Sequence, residues 1–110
     1  MRIKSFYINN VLYTIKEVKQ KELMDYKCNE EDSYYYGQTH YPEQEIWIDI
    51  DLSFEKKKET LYHELMHCYI KEFISTIELE PTEEMLCDIS AKSHDFIHGI
   101  VKKYFDIKEN

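Results

Sequence analysis

Glycine and proline are scarce in this sequence, with two of each among its 110 residues. A chain with so few of these residues is not a flexible linker, a collagen-like repeat or a low-complexity tract. No internal repeat is visible, and 43% hydrophobic with 33% charged residues is typical of a folded globular protein. We therefore expect residues 1–110 to form a single domain with a modest core.

Basic residues are also in deficit, because 14 Lys and Arg stand against 22 Asp and Glu, for a formal net charge of −8. Contacts with phosphate groups need a basic face, so we expect neither nucleic acid nor an anionic membrane surface as a direct partner. Long apolar runs are missing too. No stretch approaches the roughly 18 consecutive apolar residues of a membrane span.

The cysteines, Cys28, Cys68 and Cys87, are too few and odd in number for a disulfide framework. The first ten residues, MRIKSFYINN, lack the apolar segment of a signal peptide. We therefore expect free thiols in a reducing cytoplasm. Cys68 and Cys87 are interpreted as small buried hydrophobic side chains.

The order of apolar and turn residues predicts an α+β fold. The predicted elements are strands at residues 2–8 and 11–18, a short helical turn at 21–25, a strand within 33–41, a strand at 45–52, and helices at 54–73 and 83–104. Between the first two strands, Asn9 and Asn10 tolerate the positive φ that a tight hairpin turn requires.

The segment EIWIDIDL, residues 45–52, alternates in polarity. Its Ile and Leu residues share one face, and Trp47, Asp49 and Asp51 share the other. The polar face predicts a half-buried strand at the edge of the sheet. Upstream, Gly37 is expected at a bulge or turn.

Two helices are predicted after this strand. Ser53 is a good N-cap for the first, and residues 61–73 are apolar nearly all round, which predicts a central helix. Thr82 is the expected N-cap of the second helix, which should run to about Tyr104. Gly99 lowers helix propensity there and is interpreted as a point of close contact.

Within the first helix, the motif HELMH places His63 and His67 one turn apart on the same face. Two imidazoles at this spacing can bind one zinc ion. Glu64 lies about 100° around the helix from His63, where it can take a proton from a water activated by the metal. Burying polar side chains in an apolar stretch costs free energy unless they hydrogen-bond or bind a metal. The motif therefore predicts a metal site.

A catalytic zinc site needs a third protein ligand beside the two histidines and a water. The candidates in the second helix are Glu83, Glu84, Asp88, His94, Asp95 and His98. Glu84 and Asp88 share a face of that helix, and His94 lies about 15 Å further along its axis than Glu84. If Glu84 or Asp88 binds the metal, His94 and His98 are therefore surface or core residues.

HELMH followed by EEMLCD resembles the gluzincin arrangement of thermolysin-type peptidases, in which ExxxD on a following helix completes HExxH. The segments GQTHYPEQEIWIDIDLS and TLYHELMHCYI, together with the small size, are similar to the compact ImmA/IrrE-type and phage-encoded metallopeptidases. The resemblance covers roughly residues 33–98 and is most specific at HELMH.

This resemblance implies that Glu84 is the metal-binding glutamate and that Asp88 orients a ligand histidine. The gap between His67 and Glu84 is shorter than in many relatives, so Glu83 and Asp88 remain alternative ligands. The resemblance also implies a minimal zincin-like domain, with a small, mainly antiparallel sheet packed on an active-site helix and a following metal-ligand helix. Substrate would add to an edge strand formed by EIWIDID, and helix-turn-helix repressors are among the family's substrates.

Two functions follow as hypotheses. The first is a Zn²⁺-dependent peptidase with His63, His67 and Glu84 as ligands and Glu64 as general base, acting on a protein or peptide such as a repressor. The second is a catalytically silent, zinc-stabilised binding module of a phage or prophage. The presence of Glu64 favours the enzyme, since a structural metal site does not use it. The donor that stabilises the oxyanion is left open among Tyr62, Tyr69, His40 and His94.

Overall fold

The computed structural model describes residues 3–26, 36–73 and 83–107. Over these residues the fold is α+β, as predicted, with one four-stranded mixed sheet. The elements in chain order are β1 (Ser5–Ile8), β2 (Val11–Val18), α1 (Gln20–Tyr26), β3 (Gly37–His40), β4 (Glu45–Asp49), α2 (Phe54–Phe73) and α3 (Glu83–Phe105). No helix in this part of the chain is long and apolar enough to cross a membrane.

The predicted hairpin is confirmed. Strands β1 and β2 pair in antiparallel register from Ser5 opposite Thr14 to Ile8 opposite Val11. Asn9 and Asn10 connect them with φ values of 48° and 66°, the positive φ that a two-residue hairpin turn demands.

The prediction that EIWIDIDL forms an edge strand is wrong. The sheet order is β1-β2-β4-β3, so β4 lies inside the sheet, parallel to β2 and antiparallel to β3. Its polar face is covered, because Asp49 is 1% exposed and accepts hydrogen bonds from the Gln20 side chain of α1 and the Asp51 backbone. The edge next to α2 is β3 instead. Alternation in a sequence reports which face is apolar, but the number of strand neighbours depends on distant segments.

Helix α2 has the predicted bounds, and the Ser53 hydroxyl accepts a hydrogen bond from the Lys56 backbone N–H at 3.2 Å, as an N-cap should. As residues 61–73 predict, α2 is central and packs on both the sheet and α3, but its apolar residues are not buried all round. Only one face is buried, formed by Thr60, Leu61, Glu64, Leu65 and Cys68. Near its end, Ile70 and Phe73 remain exposed.

Helix α3 packs against α2 in the opposite direction. The Tyr62 hydroxyl hydrogen-bonds His98, whereas Met66, one turn later in α2, meets Ser93, which comes earlier in α3. Its predicted extent is confirmed to within one residue, while Thr82 lies outside the described residues. Gly99 does not mark a close contact, since no neighbouring atom lies within 4 Å of a Cβ built there.

Gly37 opens β3 without a positive φ, so its role is not that of a turn residue. A Cβ at this position would lie 2.7 Å from Cγ2 of Thr60 and 2.9 Å from the backbone oxygen of Trp47. The absence of a side chain lets α2 approach β3 closely.

Candidate metal centre

His63 and His67 lie side by side on the exposed face of α2. Their Nε2 atoms are 3.2 Å apart, and the two rings are inclined at 77° with centroids 4.8 Å apart. The i, i+4 spacing of the helix brings the rings together, as the sequence predicts.

The histidine pair fits two positions of a tetrahedral zinc site. Two nitrogens bound to one zinc ion at about 2.0–2.1 Å each lie about 3.3 Å apart. The 3.2 Å separation between the Nε2 atoms of His63 and His67 is close to that value. Without a metal, the same geometry accommodates one N–H···N hydrogen bond, in which one ring donates and the other accepts.

Glu64 lies between this pair and the sheet. It is only 6% exposed, and its Oε1 accepts a hydrogen bond from the Thr39 hydroxyl of β3 at 2.8 Å. Its other oxygen, Oε2, is 4.0 Å from Nε2 of His63. One carboxylate oxygen is therefore held by the sheet, and the other is near the histidine pair.

Two open clefts meet at this point. They share Gly37, His63 and Glu64. The first, about 340 Å³, is completed by Tyr36, Lys56, Glu59 and Thr60. The second, about 490 Å³, is completed by Tyr26, Gln38, Thr39, His40, Tyr41 and His67. His63 and Glu64 thus line both clefts, and His67 lines the second, next to β3.

The structure does not bring Glu84 or Asp88 to the histidine pair. Both are exposed on α3. Ile97 of the same helix is buried against α2. At 100° per residue, Glu84 lies about 140° and Asp88 about 180° around the helix axis from Ile97. Ser93 is level with Met66, so Glu84 lies about 13 Å beyond that level along the axis. Over residues 3–26, 36–73 and 83–107, no three His, Cys, Asp or Glu side chains form a group that could hold a metal ion. The assignment of Glu84, with Glu83 and Asp88 as alternatives, stays a prediction.

The histidines of α3 occupy different surroundings. His98 is half-buried and hydrogen-bonded to Tyr62, whereas His94 is exposed and stacks on His98 with ring centroids 5.7 Å apart. His94 also lines a groove of about 320 Å³ between α2 and α3 that His63 borders from the other side. Among the α3 candidates for the third ligand, His94 therefore shares this cavity with His63 of the HELMH motif.

Two of the sequence candidates for an oxyanion donor, Tyr69 and His40, pack against other aromatic side chains, although His40 also lines the larger cleft. Tyr69 packs on Phe73 and Phe96 in the helical layer. His40 is buried on the opposite face of β3 from Thr39, stacked on Tyr26 at a centroid distance of 3.5 Å.

The structure adds Tyr41, which sequence reasoning missed. It lines the larger cleft with His63 and His67, and its hydroxyl lies 3.5 Å from the His67 carbonyl oxygen. Burial and the nearby Cys68 and Glu64 raise the pKa of the Tyr41 phenol, so it keeps its proton at neutral pH. No spacing rule connects this residue to HELMH, because their contact is made by the packing of β3 on α2.

The two described cysteines differ in environment. Cys68 is fully buried, as predicted, and burial raises the pKa of its thiol to about 12. Cys87 is exposed, so the interpretation of it as a buried hydrophobic residue is wrong. Cys28 lies outside the described residues.

Comparisons with protein-family models, with curated proteins and with solved structures find no significant match for this chain.

Proposed function

We propose that this protein is a zinc-dependent metallopeptidase in which His63 and His67 bind the metal and Glu64 is the general base. The observation that carries the proposal is the 3.2 Å separation of the two Nε2 atoms, with a buried carboxylate 4.0 Å from one of them. When bound, zinc would acidify a water molecule and polarise a scissile carbonyl group. Glu64 would accept the proton of that water through Oε2, the oxygen near the histidine pair.

The edge strand β3 is the proposed binding site for substrate. Among the residues that the structure describes, it pairs with a strand on one side only, β4, and it borders both clefts around Glu64. An extended peptide can add to such an edge by backbone hydrogen bonds, with its side chains in the flanking clefts. Strand addition thus belongs to β3 in this proposal, because the EIWIDID segment is paired on both edges.

A third ligand from α3 would complete the site. We retain Glu84 for this role on the strength of the ExxxD spacing, with Asp88 orienting a ligand histidine. Because Glu84 is far along the helix from the histidine pair and lies about 140° around the axis from Ile97, its binding requires the first turns of α3 to rearrange.

We further propose that the substrate is a cytoplasmic protein or peptide, a repressor being one candidate. Free thiols at Cys68 and Cys87 are typical of a reducing compartment. The net charge of −8 supports a protein partner over nucleic acid.

The experiment compares wild type with Glu64→Gln, which keeps the size of the side chain but cannot act as a base. The purified proteins are analysed for zinc and then incubated with a host-cell lysate, with and without chelator, and new protein termini are identified. We expect about one zinc per chain in both proteins, and termini that only zinc-loaded wild type produces, with a loss of about 100-fold or more in the variant.

Glu55→Gln is the matched control, since Glu55 lies in the exposed first turn of the same helix. It should cleave like wild type. Equal cleavage by Glu64→Gln would refute the role of Glu64. Zinc binding without any cleavage would favour the alternative, a silent zinc-stabilised binding module, and failure to bind zinc would refute both.

A further inference from the structure

The Thr39 hydroxyl sits between two buried groups of α2. It donates a hydrogen bond to Oε1 of Glu64 at 2.8 Å, and the buried Cys68 thiol also lies close to it. Glu64 and Cys68 are one helical turn apart on the buried face of α2, where both point towards β3.

We propose that Thr39 is a positioning residue, whose hydroxyl fixes the Glu64 carboxylate so that Oε2 faces the histidine pair. This inference rests on the proposed function, in which Glu64 is the base. An ionised carboxylate only accepts hydrogen bonds, so the hydroxyl proton of Thr39 is directed to Glu64.

The packing of β3 on α2 explains why a threonine can hold the Glu64 carboxylate in one orientation. Thr39 and Gly37 lie on the face of β3 that meets α2, and a Cβ at Gly37 would already lie 3.4 Å from Cγ of Glu64. At such a close approach the short, β-branched Thr39 side chain reaches the carboxylate with few accessible rotamers. Holding a base in one orientation is how a supporting residue contributes to catalysis.

The first test is kinetic and uses a peptide that spans a cleavage site found in the lysate. Thr39→Val keeps the shape but removes the hydroxyl, so we expect kcat to fall roughly 10- to 100-fold, with KM and zinc affinity little changed. Thr39→Ser restores the hydroxyl and should restore most of kcat. Thr14→Val is the matched control, since Thr14 lies in β2 between the buried residues Tyr13 and Ile15 and so faces away from α2. It should leave kcat unchanged.

These outcomes separate positioning from a purely structural role. A structural role would lower zinc affinity along with kcat and would be shared by Thr39→Ser. If Thr39→Val retains wild-type kcat, or if Thr39→Ser is as impaired as Thr39→Val, the proposal is overturned.

The second test does not depend on activity. Urea unfolding of the metal-free protein is measured for wild type, Thr39→Val, Glu64→Leu and the double variant. If the hydroxyl holds the carboxylate, Thr39→Val destabilises the wild-type background, where it leaves a buried acceptor without its donor, but has little effect beside Glu64→Leu. Additive effects would overturn the hydrogen bond as the basis of the proposal. This double-mutant cycle tests the hydrogen bond from Thr39 to Glu64 even if wild type cleaves no substrate. Absence of cleavage would refute only the proposed function.

Discussion

Replacing Gly37 by alanine should destabilise the protein by about 2 kcal/mol, within the range observed for overpacked sites. The added Cβ would lie 2.7 Å from Cγ2 of Thr60 and 2.9 Å from the Trp47 backbone oxygen, and neither neighbour can easily move. Thr60 is a buried, β-branched residue in α2, and the Trp47 oxygen belongs to an internal strand. Relief of the clash requires β3 to separate from α2, which would also lengthen the hydrogen bond from Thr39 to Glu64.

The chain supplies its own control, because its only other glycine, Gly99, lies in α3, where an added Cβ would have no neighbouring atom within 4 Å. Gly99→Ala should stabilise the protein by about 0.8 kcal/mol through helix propensity. Thermal unfolding of the metal-free proteins measures both. For a domain of this size, about 2 kcal/mol corresponds to a fall in Tm of about 8 °C. A neutral Gly37→Ala, or a Gly99→Ala that is equally destabilising, would refute the close packing of β3 on α2.

Two further predictions concern the third ligand and the thiols. In equilibrium titrations, Glu84→Ala should lower zinc affinity severely, while Glu83→Ala should change it little. If His94→Ala lowers zinc affinity severely and Glu84→Ala does not, the third ligand is His94, in the groove between α2 and α3. In the native protein at neutral pH, iodoacetamide should modify Cys87 well before Cys68, as followed by peptide mass spectrometry, and equal rates would contradict the burial of Cys68. The pKa of Cys68 is raised from 9.0 to about 12, so its contribution to stability should be complete below about pH 9 and be lost as the pH rises towards 12, which urea unfolding at different pH values measures.

Features that depend on neighbouring residues along the chain could be predicted from the sequence. The HELMH spacing predicts that two imidazoles meet, since the helix repeat brings residues four apart to the same face, and His63 and His67 do meet. The Asn9-Asn10 turn and the Ser53 cap are likewise confirmed, because each depends on backbone conformations and hydrogen bonds within a few residues.

Features that depend on which distant segments pack together were decided by the tertiary structure. The alternation of EIWIDID indicates an apolar face, but the parallel pairing with β2 makes β4 an internal strand and leaves β3 at the edge. The close approach of β3 to α2 then puts the Thr39 hydroxyl on Glu64, a contact between residues 25 positions apart. The sequence gives no indication that Thr39 and Glu64 meet. A hydrogen bond between two elements depends on how the whole strand and helix are placed, not on the spacing of residues along the chain.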